Sequence, residues 1–338
     1  MIPDLLTWFV DRRRDLPWRR VADPYATWVS EIMLQQTRVE AVIPYFERWM
    51  ARFPDVHALA AASEEEVLQH WAGLGYYRRA RFLHQAAQSL VKESKGALPE
   101  TSVELRKMTG VGEYTSAAIA SICFDEAIPV VDGNVKRVAA RVLLMDLAAN
   151  DRKLHRAAED WGRELMAQLV AADSTPFGDR LPATAIEQKS VRAGALNEAL
   201  MELGATICTP RSPLCGQCPI QSHCQADNGD VDPTDYPRSA KRTPWKELHL
   251  NFVWHQDGPL CLLQQRTEGW NPGLWEPPTI EQGVGEEICQ VKHTITHHKI
   301  TARVFKLLGP VSAPLTPPDA VPLTGLARKI LAKCWKAC

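Results

Sequence analysis

The sequence predicts an α+β protein of two domains, a helical domain followed by a smaller α/β one. Three observations predict it. Apolar residues recur at helical spacing through most of the first 207 positions. Four cysteines then crowd into residues 208–224. After a polar stretch the period changes to alternation, as in Leu248-His249-Leu250-Asn251-Phe252-Val253-Trp254. At 338 residues the chain has length for about two domains. These observations place them at 1–225 and 247–338, joined by a linker over 226–246 that is polar, carries prolines and lacks apolar periodicity.

Residues 1–22 read as a short helix followed by Asp15-Leu16-Pro17-Trp18-Arg19-Arg20, where the proline ends the helix. From Pro24 to Met50 the pattern is helical, with a break near Gln35-Gln36-Thr37. Glu31 falls among Val29, Ile32 and Met33. A carboxyl so flanked is desolvated, which raises its pKa and keeps it protonated; for a single glutamate on a helix, an exposed position is the commoner reading. Residues 54–99 carry further helices, joined by Gly73-Leu74-Gly75-Tyr76-Tyr77-Arg78. That turn is flexible, aromatic and cationic. Its tyrosines either cover a core edge or stack on bases.

Next comes Met108 to Val138. Gly110-Val111-Gly112 is a tight turn opening into a helix from Glu113, and such a helix start is a ready anion site. Asp132 follows an apolar run and precedes a helix carrying Lys136, Arg137 and Arg141. Residues 151–207 read as two helices, Leu154 to Leu169 and Gly194 to Ile207, flanking a surface loop over 172–191. Cys208, Cys215, Cys218 and Cys224 then occupy seventeen residues held open by prolines. Four thiolates at these gaps suit zinc or an iron–sulfur cluster. Beyond the linker, 248–254 and 260–266 read as strands.

The net charge of −1 gives no global basic signature. A polyanionic partner therefore requires local clusters. Arg12-Arg13-Arg14, Arg19-Arg20, Arg78-Arg79 with Arg81, and Lys136-Arg137 provide them, although each also reads as a solvated face. Nine cysteines, an odd number with four clustered, argue against a disulfide framework. No apolar run approaches the roughly 20 residues of a membrane span. The N-terminal charges follow the apolar patch, the wrong order for a signal peptide, so a cytoplasmic location is expected (nucleoid-associated if bacterial).

Several stretches together resemble one family. Ser30-Glu31-Ile32-Met33-Leu34-Gln35-Gln36-Thr37, continuing through Val42 to Arg48, resembles the catalytic-acid motif of the adenine DNA glycosylases of the MutY type. Residues 108–138 resemble the helix-hairpin-helix and following Asp loop of the wider endonuclease III superfamily. The four cysteines resemble its cluster loop, which favours a 4Fe–4S cluster over zinc. The strands with Gly273-Leu274-Trp275 resemble the family's Nudix-like C-terminal domain, and Ile295-Thr296-His297 aligns with its lesion-reading loop. The chain departs from the family at Met108-Thr109, usually Leu-Pro. It departs again at Pro277 and Ile295, which stand where aromatics are usual. Residues 172–191 look like an insertion relative to the family. Gly285-Glu286-Glu287 is only a fragment of a Nudix box, which points to recognition and away from pyrophosphate hydrolysis.

The resemblance implies hydrolysis of the N-glycosidic bond of adenine mispaired with 8-oxoguanine or guanine in double-stranded DNA, by a monomer. Breaking such a bond calls for an acid for the leaving base and an anion for the developing oxocarbenium ion. Glu31 is the candidate acid and Asp132 the candidate anion, its helix start favouring the ionised form. Asn134 and Tyr114 complete the catalytic set. By the same correspondence Arg19, Leu34 and Glu198 are walls of an adenine pocket. Gln36 fills the gap and Tyr76 is the wedge, Gly110 and Gly112 grip phosphate, and Thr296 and His297 meet the lesion. Tyr114 stands where the lyase branch has a Schiff-base lysine, so a monofunctional enzyme is expected. Two other readings are a non-catalytic iron–sulfur mismatch binder and an endonuclease III-like glycosylase-lyase.

Overall fold

The computed structural model describes residues 1–21, 23–171, 192–240, 243–283, 285–307 and 311–335. The loop expected over 172–191 lies outside the described residues. The chain divides into two compact units, Met1–Glu47 with Ser89–Lys241, and Arg48–Gln88 with Arg242–Cys338.

The helices, in chain order, are α1 (Ile2–Arg12), α2 (Pro24–Leu34), α3 (Val39–Arg52), α4 (Val56–Ala61), α5 (Glu64–Trp71), α6 (Arg78–Ser94), α7 (Ser102–Leu105), α8 (Glu113–Phe124), α9 (Gly133–Val142), α10 (Arg152–Ala171), α11 (Arg192–Thr206), α12 (Gln225–Asn228) and α13 (Gly325–Cys334). The first unit is helical. Leu5, Phe9, Val138, Trp161, Leu196 and Leu203 meet in its core, so α1, α9, α10 and α11 pack around one apolar centre. Residues Tyr25–Met33 of α2 are all buried, which makes α2 an interior helix. Its start is fixed twice: Asp23 accepts hydrogen bonds from the Tyr25 and Ala26 N–H groups, and Pro24 occupies the first turn.

The helical part of the expectation matches these elements, including the break between α2 and α3 at residues 35–37. The stretch read as a linker is tied down at its first half. Arg141 donates to the Tyr236 carbonyl at 2.9 Å. Arg238 exchanges backbone bonds with Leu147 and Ala149, both at 2.9 Å, and its side chain pairs with Asp146.

The second unit holds a four-stranded sheet. Its strands are β1 (Lys246–Trp254), β6 (Thr279–Ile280), β7 (Glu287–Ile295) and β8 (His298–Lys306), in the order β6-β1-β8-β7. Strands β1 and β8 are parallel, and β7 and β8 form an antiparallel hairpin closed by Thr296-His297. Short pairs β2 (Gln256–Asp257) with β3 (Leu260–Cys261), and β4 (Gln264–Gln265) with β5 (Trp275–Glu276), flank it. The strand expected over 260–266 is thus two pieces. Leu262 and Leu263 are both buried, and two successive inward side chains break the alternation that one strand requires.

Residues 48–88 group with this sheet, where the expected division had placed them in the helical domain. Named bonds account for it. Gln69 donates to the Ala320 carbonyl at 2.7 Å, the Tyr77 hydroxyl to Leu323 at 3.3 Å, and Arg81 to the Pro272 carbonyl. Glu287, of the Nudix-box fragment, begins strand β7 and pairs with Arg303.

Candidate active site

A cavity of about 560 Å³ opens in the helical unit, within the range typical of small-ligand sites. Glu31, Tyr114, Asp132, Asn134, Arg19, Leu34 and Glu198, all singled out in the sequence, line it together. Met201, Thr27 and Cys123 also line it and carry no motif that would have revealed them. Burial drives the Cys123 thiol up to about 12, which keeps it a neutral wall group.

Glu31 is 6% exposed, and its Oε2 has no hydrogen-bond partner. Burial pushes its carboxyl up to about 7, against a hydrogen bond with Tyr114 that pulls it down, while Glu198 and Asp132 add to the rise. The Tyr114 phenol is itself driven well up, first by burial and then by the acids around it, so it remains a neutral donor. Its hydroxyl also lies 3.4 Å from the Met201 sulfur.

Asp132 is the N-cap of α9, accepting from the Val135 N–H at 2.7 Å and from the Asn134 amide at 2.8 Å. The expectation that its helix start favours ionisation is half of what the structure gives. Burial raises the Asp132 carboxyl above its ordinary value, and the cap donors and Arg137 only partly offset this. The two acids are nonetheless held differently: Asp132 has two donors, and Glu31 keeps one oxygen bare inside the cavity.

The support around Asp132 was not visible in the sequence. Asn197 of α11 is 1% exposed and clamps the loop before Asp132, donating to the Ile128 carbonyl at 2.9 Å and accepting from the Val130 N–H at 3.0 Å. Asn134 is held by Arg137 at 2.9 Å, and Arg137 also donates to the carbonyls of Gly204 and Cys208 at 2.7 and 2.8 Å. A Cβ on Gly204 would stand 2.6 Å from the Asn134 Cβ, so only glycine lets α11 approach the Asp132 loop this closely.

Several residues of the basic clusters are engaged by partners within their own unit. Arg14 and Arg19 both pair with Glu202, at 2.7 and 3.1 Å, and Arg19 also holds Glu198 at 2.8 Å. Burial raises the Glu202 carboxyl, but the bond from Arg14 and the charge of Arg19 outweigh it and hold it below the ordinary value. Arg20 pairs with Asp15 and Arg81 with Glu64. Arg141 is 2% exposed and donates to Thr209, Pro210 and the Cys208 sulfur. Arg137, read as part of a basic cluster with Lys136, and Arg141 on the same helix brace the cysteine loop from within.

Cys208, Cys218 and Cys224 pack against the helical core, and Cys215 begins a turn between them. Burial pushes the Cys215 and Cys218 thiols up to about 11, and the neighbouring cysteines add to each rise. Both thiols feel the charges of Cys208 and Cys224. They ionise as a set when a cation neutralises them, which is the donor chemistry of a thiolate-bound cluster.

The residues expected at the DNA surface lie outside the cavity lining. Gly110 takes φ +80°, which favours glycine. Gly112 is the N-cap of α8 at φ −92°, with open space where a Cβ would stand and no side-chain cap on the helix start. Gln36 is exposed just after α2 at φ 57°. Of the two tyrosines in the Gly-rich turn, Tyr77 is buried in its unit and Tyr76 is 48% exposed at φ 49°, with Arg79 over its ring. The core-edge reading therefore holds for Tyr77 and not for Tyr76. Thr296 is exposed at φ 50° in the β7–β8 turn, next to a half-buried His297. Left-handed φ at three non-glycine residues is strain of the kind that collects at functional positions.

Residues 29–164 match the family described as HhH-GPD superfamily base excision DNA repair protein, and residues 208–224 match the iron-sulfur binding domain of endonuclease III. The chain is 35% identical to an adenine DNA glycosylase of Mus musculus over 95% of its length and 73% of that protein. It is 36% identical to the adenine DNA glycosylase of Homo sapiens over 95% and 69%. With that of Mycolicibacterium smegmatis it shares 40% identity over 66% and 68%. A thermostable thymine-DNA glycosylase structure superposes on 67% of this chain and 94% of its own with a TM-score of 0.53 at 23% identity, a likeness of fold.

Proposed function

The chain belongs to the adenine DNA glycosylases, and from that premise we propose how its residues perform base excision and on which mispair. It is a base-excision repair glycosylase that releases adenine from DNA, and residues 208–224 hold an iron–sulfur cluster. The mispair is adenine opposite 8-oxoguanine, or opposite guanine. The observation that carries this reading is the shared cavity of Glu31 and Asp132, one acid with a bare buried oxygen and the other held by two donors.

The adenine nucleotide leaves the stack and enters the cavity, at a cost that a mispair lowers. Protonated Glu31 gives its proton to adenine N7, so the base departs as a neutral leaving group while the C1′–N9 bond breaks. Tyr114 keeps the Glu31 carboxyl oriented. Ionised Asp132 faces the positive charge that develops on the sugar, and Asn134 keeps that carboxylate in place. Water then adds at C1′, and its proton returns the acid to its starting state. Arg19, Leu34 and Glu198 bound the base. Gly110 and Gly112 present backbone N–H groups to phosphate, Gln36 fills the gap, and Tyr76 wedges the duplex. Thr296 and His297 read the lesion from a Nudix-like unit. Cys208, Cys215, Cys218 and Cys224 would hold the iron–sulfur cluster, which would tie four chain positions into one loop.

Two other readings are weaker. A mismatch binder has no use for two acids in one cavity. A glycosylase-lyase needs an amine where this chain has Tyr114. Single-turnover base release from duplexes carrying adenine opposite 8-oxoguanine, guanine or thymine tests the proposal. Fast, slower and absent release in that order is expected. Equal rates on all three overturn the lesion reading, and a stoichiometric covalent adduct after borohydride overturns the monofunctional one.

A further inference from the structure

Cys289 and Cys334 lie outside every motif and outside the cavity. Both belong to the sheet unit, one in β7 and the other in the last turn of α13. Their sulfurs are 3.0 Å apart although the residues are 45 positions apart in sequence. Two thiols at that distance need to close by only about 1 Å to reach bonding length.

The place of the pair gives it a consequence. Strand β7 is an edge strand and one arm of the hairpin that carries Thr296 and His297. Helix α13 lies along it in the opposite sense. Gly325 at the start of α13 is beside His293, and Lys329 and Lys333 donate to the Lys292 and Gln290 carbonyls at 3.4 and 2.8 Å. Both lysine ties are exposed and therefore weak. Cys289 is partly accessible and Cys334 is fully buried, an arrangement in which one thiol meets a small oxidant and the other resolves the product.

We propose that Cys289 and Cys334 form a reversible disulfide with hydroperoxides as oxidant, and that this bond locks α13 onto the hairpin strand β7. The Cys289 sulfur attacks the peroxide O–O bond, giving a sulfenic acid and one water from hydrogen peroxide, or one alcohol from an organic hydroperoxide. The Cys334 sulfur then attacks the sulfenic sulfur. The S–S bond forms, the S–O bond breaks, and the oxygen leaves as water with the Cys334 proton. Two thiols lose two electrons and the peroxide gains them. A dithiol reverses the step by exchange. The link to repair rests on the proposed substrate, since 8-oxoguanine is itself an oxidation product; the bond does not depend on it.

The test uses the cluster-loaded protein and a hydrogen peroxide dose that leaves its iron content unchanged. After treatment, free thiols are alkylated, the protein is digested, and peptides are identified by mass. A linked Cys289–Cys334 peptide that disappears on dithiothreitol treatment, and is absent from Cys289→Ser and Cys289→Ala, is expected. Amide exchange over 287–295 and 325–334 should slow on oxidation and recover on reduction. Alkylation of both cysteines to the same extent before and after peroxide overturns the proposal, as does Cys289 sulfinic acid beside an alkylated Cys334. A linked peptide with unchanged amide exchange overturns the locking role. None of these readouts uses base release, so failure here is separable from failure of the proposed function.

Discussion

In the cavity of the helical unit, Glu31, Asp132 and Tyr114 are withdrawn from water, and burial leads the shift of each. At the β7–β8 turn of the sheet unit, Thr296 is exposed, His297 is half-buried, and the backbone carries left-handed strain at Thr296. The two regions use different physics. The first sets proton affinity by dielectric and fixes its acids with a second layer of amides and arginines. The second leaves its donors open and holds their direction through the backbone. Under the proposed function, chemistry at the sugar calls for the former and reading a base edge for the latter. Substitutions should therefore act on rate in one region and on discrimination in the other.

The largest effect is expected at Glu31. Glu31→Gln removes the proton donor and should lower single-turnover base release by about 10²–10⁴-fold, leaving duplex binding by gel shift nearly unchanged. In the unsubstituted protein the rate should fall as pH rises through about 7, because the acid must be protonated. On the acid side it should fall as Asp132, whose carboxyl is also raised, takes up a proton. Stability follows the same sign. A carboxyl raised from 4.5 to about 7 gives its full stability below 4.5 and loses it as pH rises through 7. Glu31→Gln should match the parent in acid and exceed it above neutral pH, by on the order of 3 kcal/mol in urea melts. A variant no more stable at high pH would show that the site is wetter than its burial implies.

The second effect belongs to the arginine frame behind the cavity. Glu202 is 1% exposed and serves both Arg14 and Arg19. Glu202→Ala leaves two guanidinium groups short of a partner and should cost about 3–5 kcal/mol. Because the Glu202 carboxyl is held below its ordinary 4.5, its contribution is present above that pH and is lost on acidification through its folded value. The difference between parent and variant should thus shrink in urea melts taken at falling pH. A constant difference would assign the loss to packing.

The same contrast explains what was legible in the sequence. Glu31 could be read because its desolvating neighbours adjoin it on one helix. The hairpin glycines and the four cysteines could be read because their chemistry is local. Arg137 and Arg141 could not, because the carbonyls they serve lie 67 to 95 positions away and carry no residue code. Asn197 escaped notice for the same reason. The split of 260–266 was hidden because Leu262 and Leu263 satisfy a strand in composition while both pointing inward. Residues 48–88 read as helices correctly, but their grouping with the sheet rests on bonds to the carbonyls of Pro272, Ala320 and Leu323. Hydrophobic periodicity reports the element and is silent about its partner.

A third substitution probes the brace between the cysteine loop and the catalytic loop. Arg137 uses its planar fork to hold Asn134, Gly204 and Cys208 at once. Arg137→Lys keeps the charge and loses the fork. It should slow base release by about tenfold, the cost of one charged hydrogen bond, and keep the iron content and the pH optimum. Loss of iron in this variant would move Arg137 from positioning Asn134 to holding the cluster loop.

The smallest effect, and the one that most sharpens the contrast, is at Thr296. Its φ of 50° is unfavourable for a β-branched residue, at about 1 kcal/mol or more. Thr296→Gly removes that strain and the hydroxyl together. It should make the hairpin more stable, and it should lower the preference for adenine opposite 8-oxoguanine over adenine opposite guanine by roughly tenfold, the worth of about one hydrogen bond. Thr296→Ser keeps the hydroxyl and should keep the preference. The cavity is untouched in both, so the rate on saturating preferred substrate should stay within about twofold of the parent, below the effect of any single lost hydrogen bond. Equal discrimination in the glycine variant would mean that the turn is strained for its own closure and that the hydroxyl reads nothing. A fall in the saturated rate would mean that the hairpin acts on the chemical step, and the separation of rate from recognition would fail at this residue.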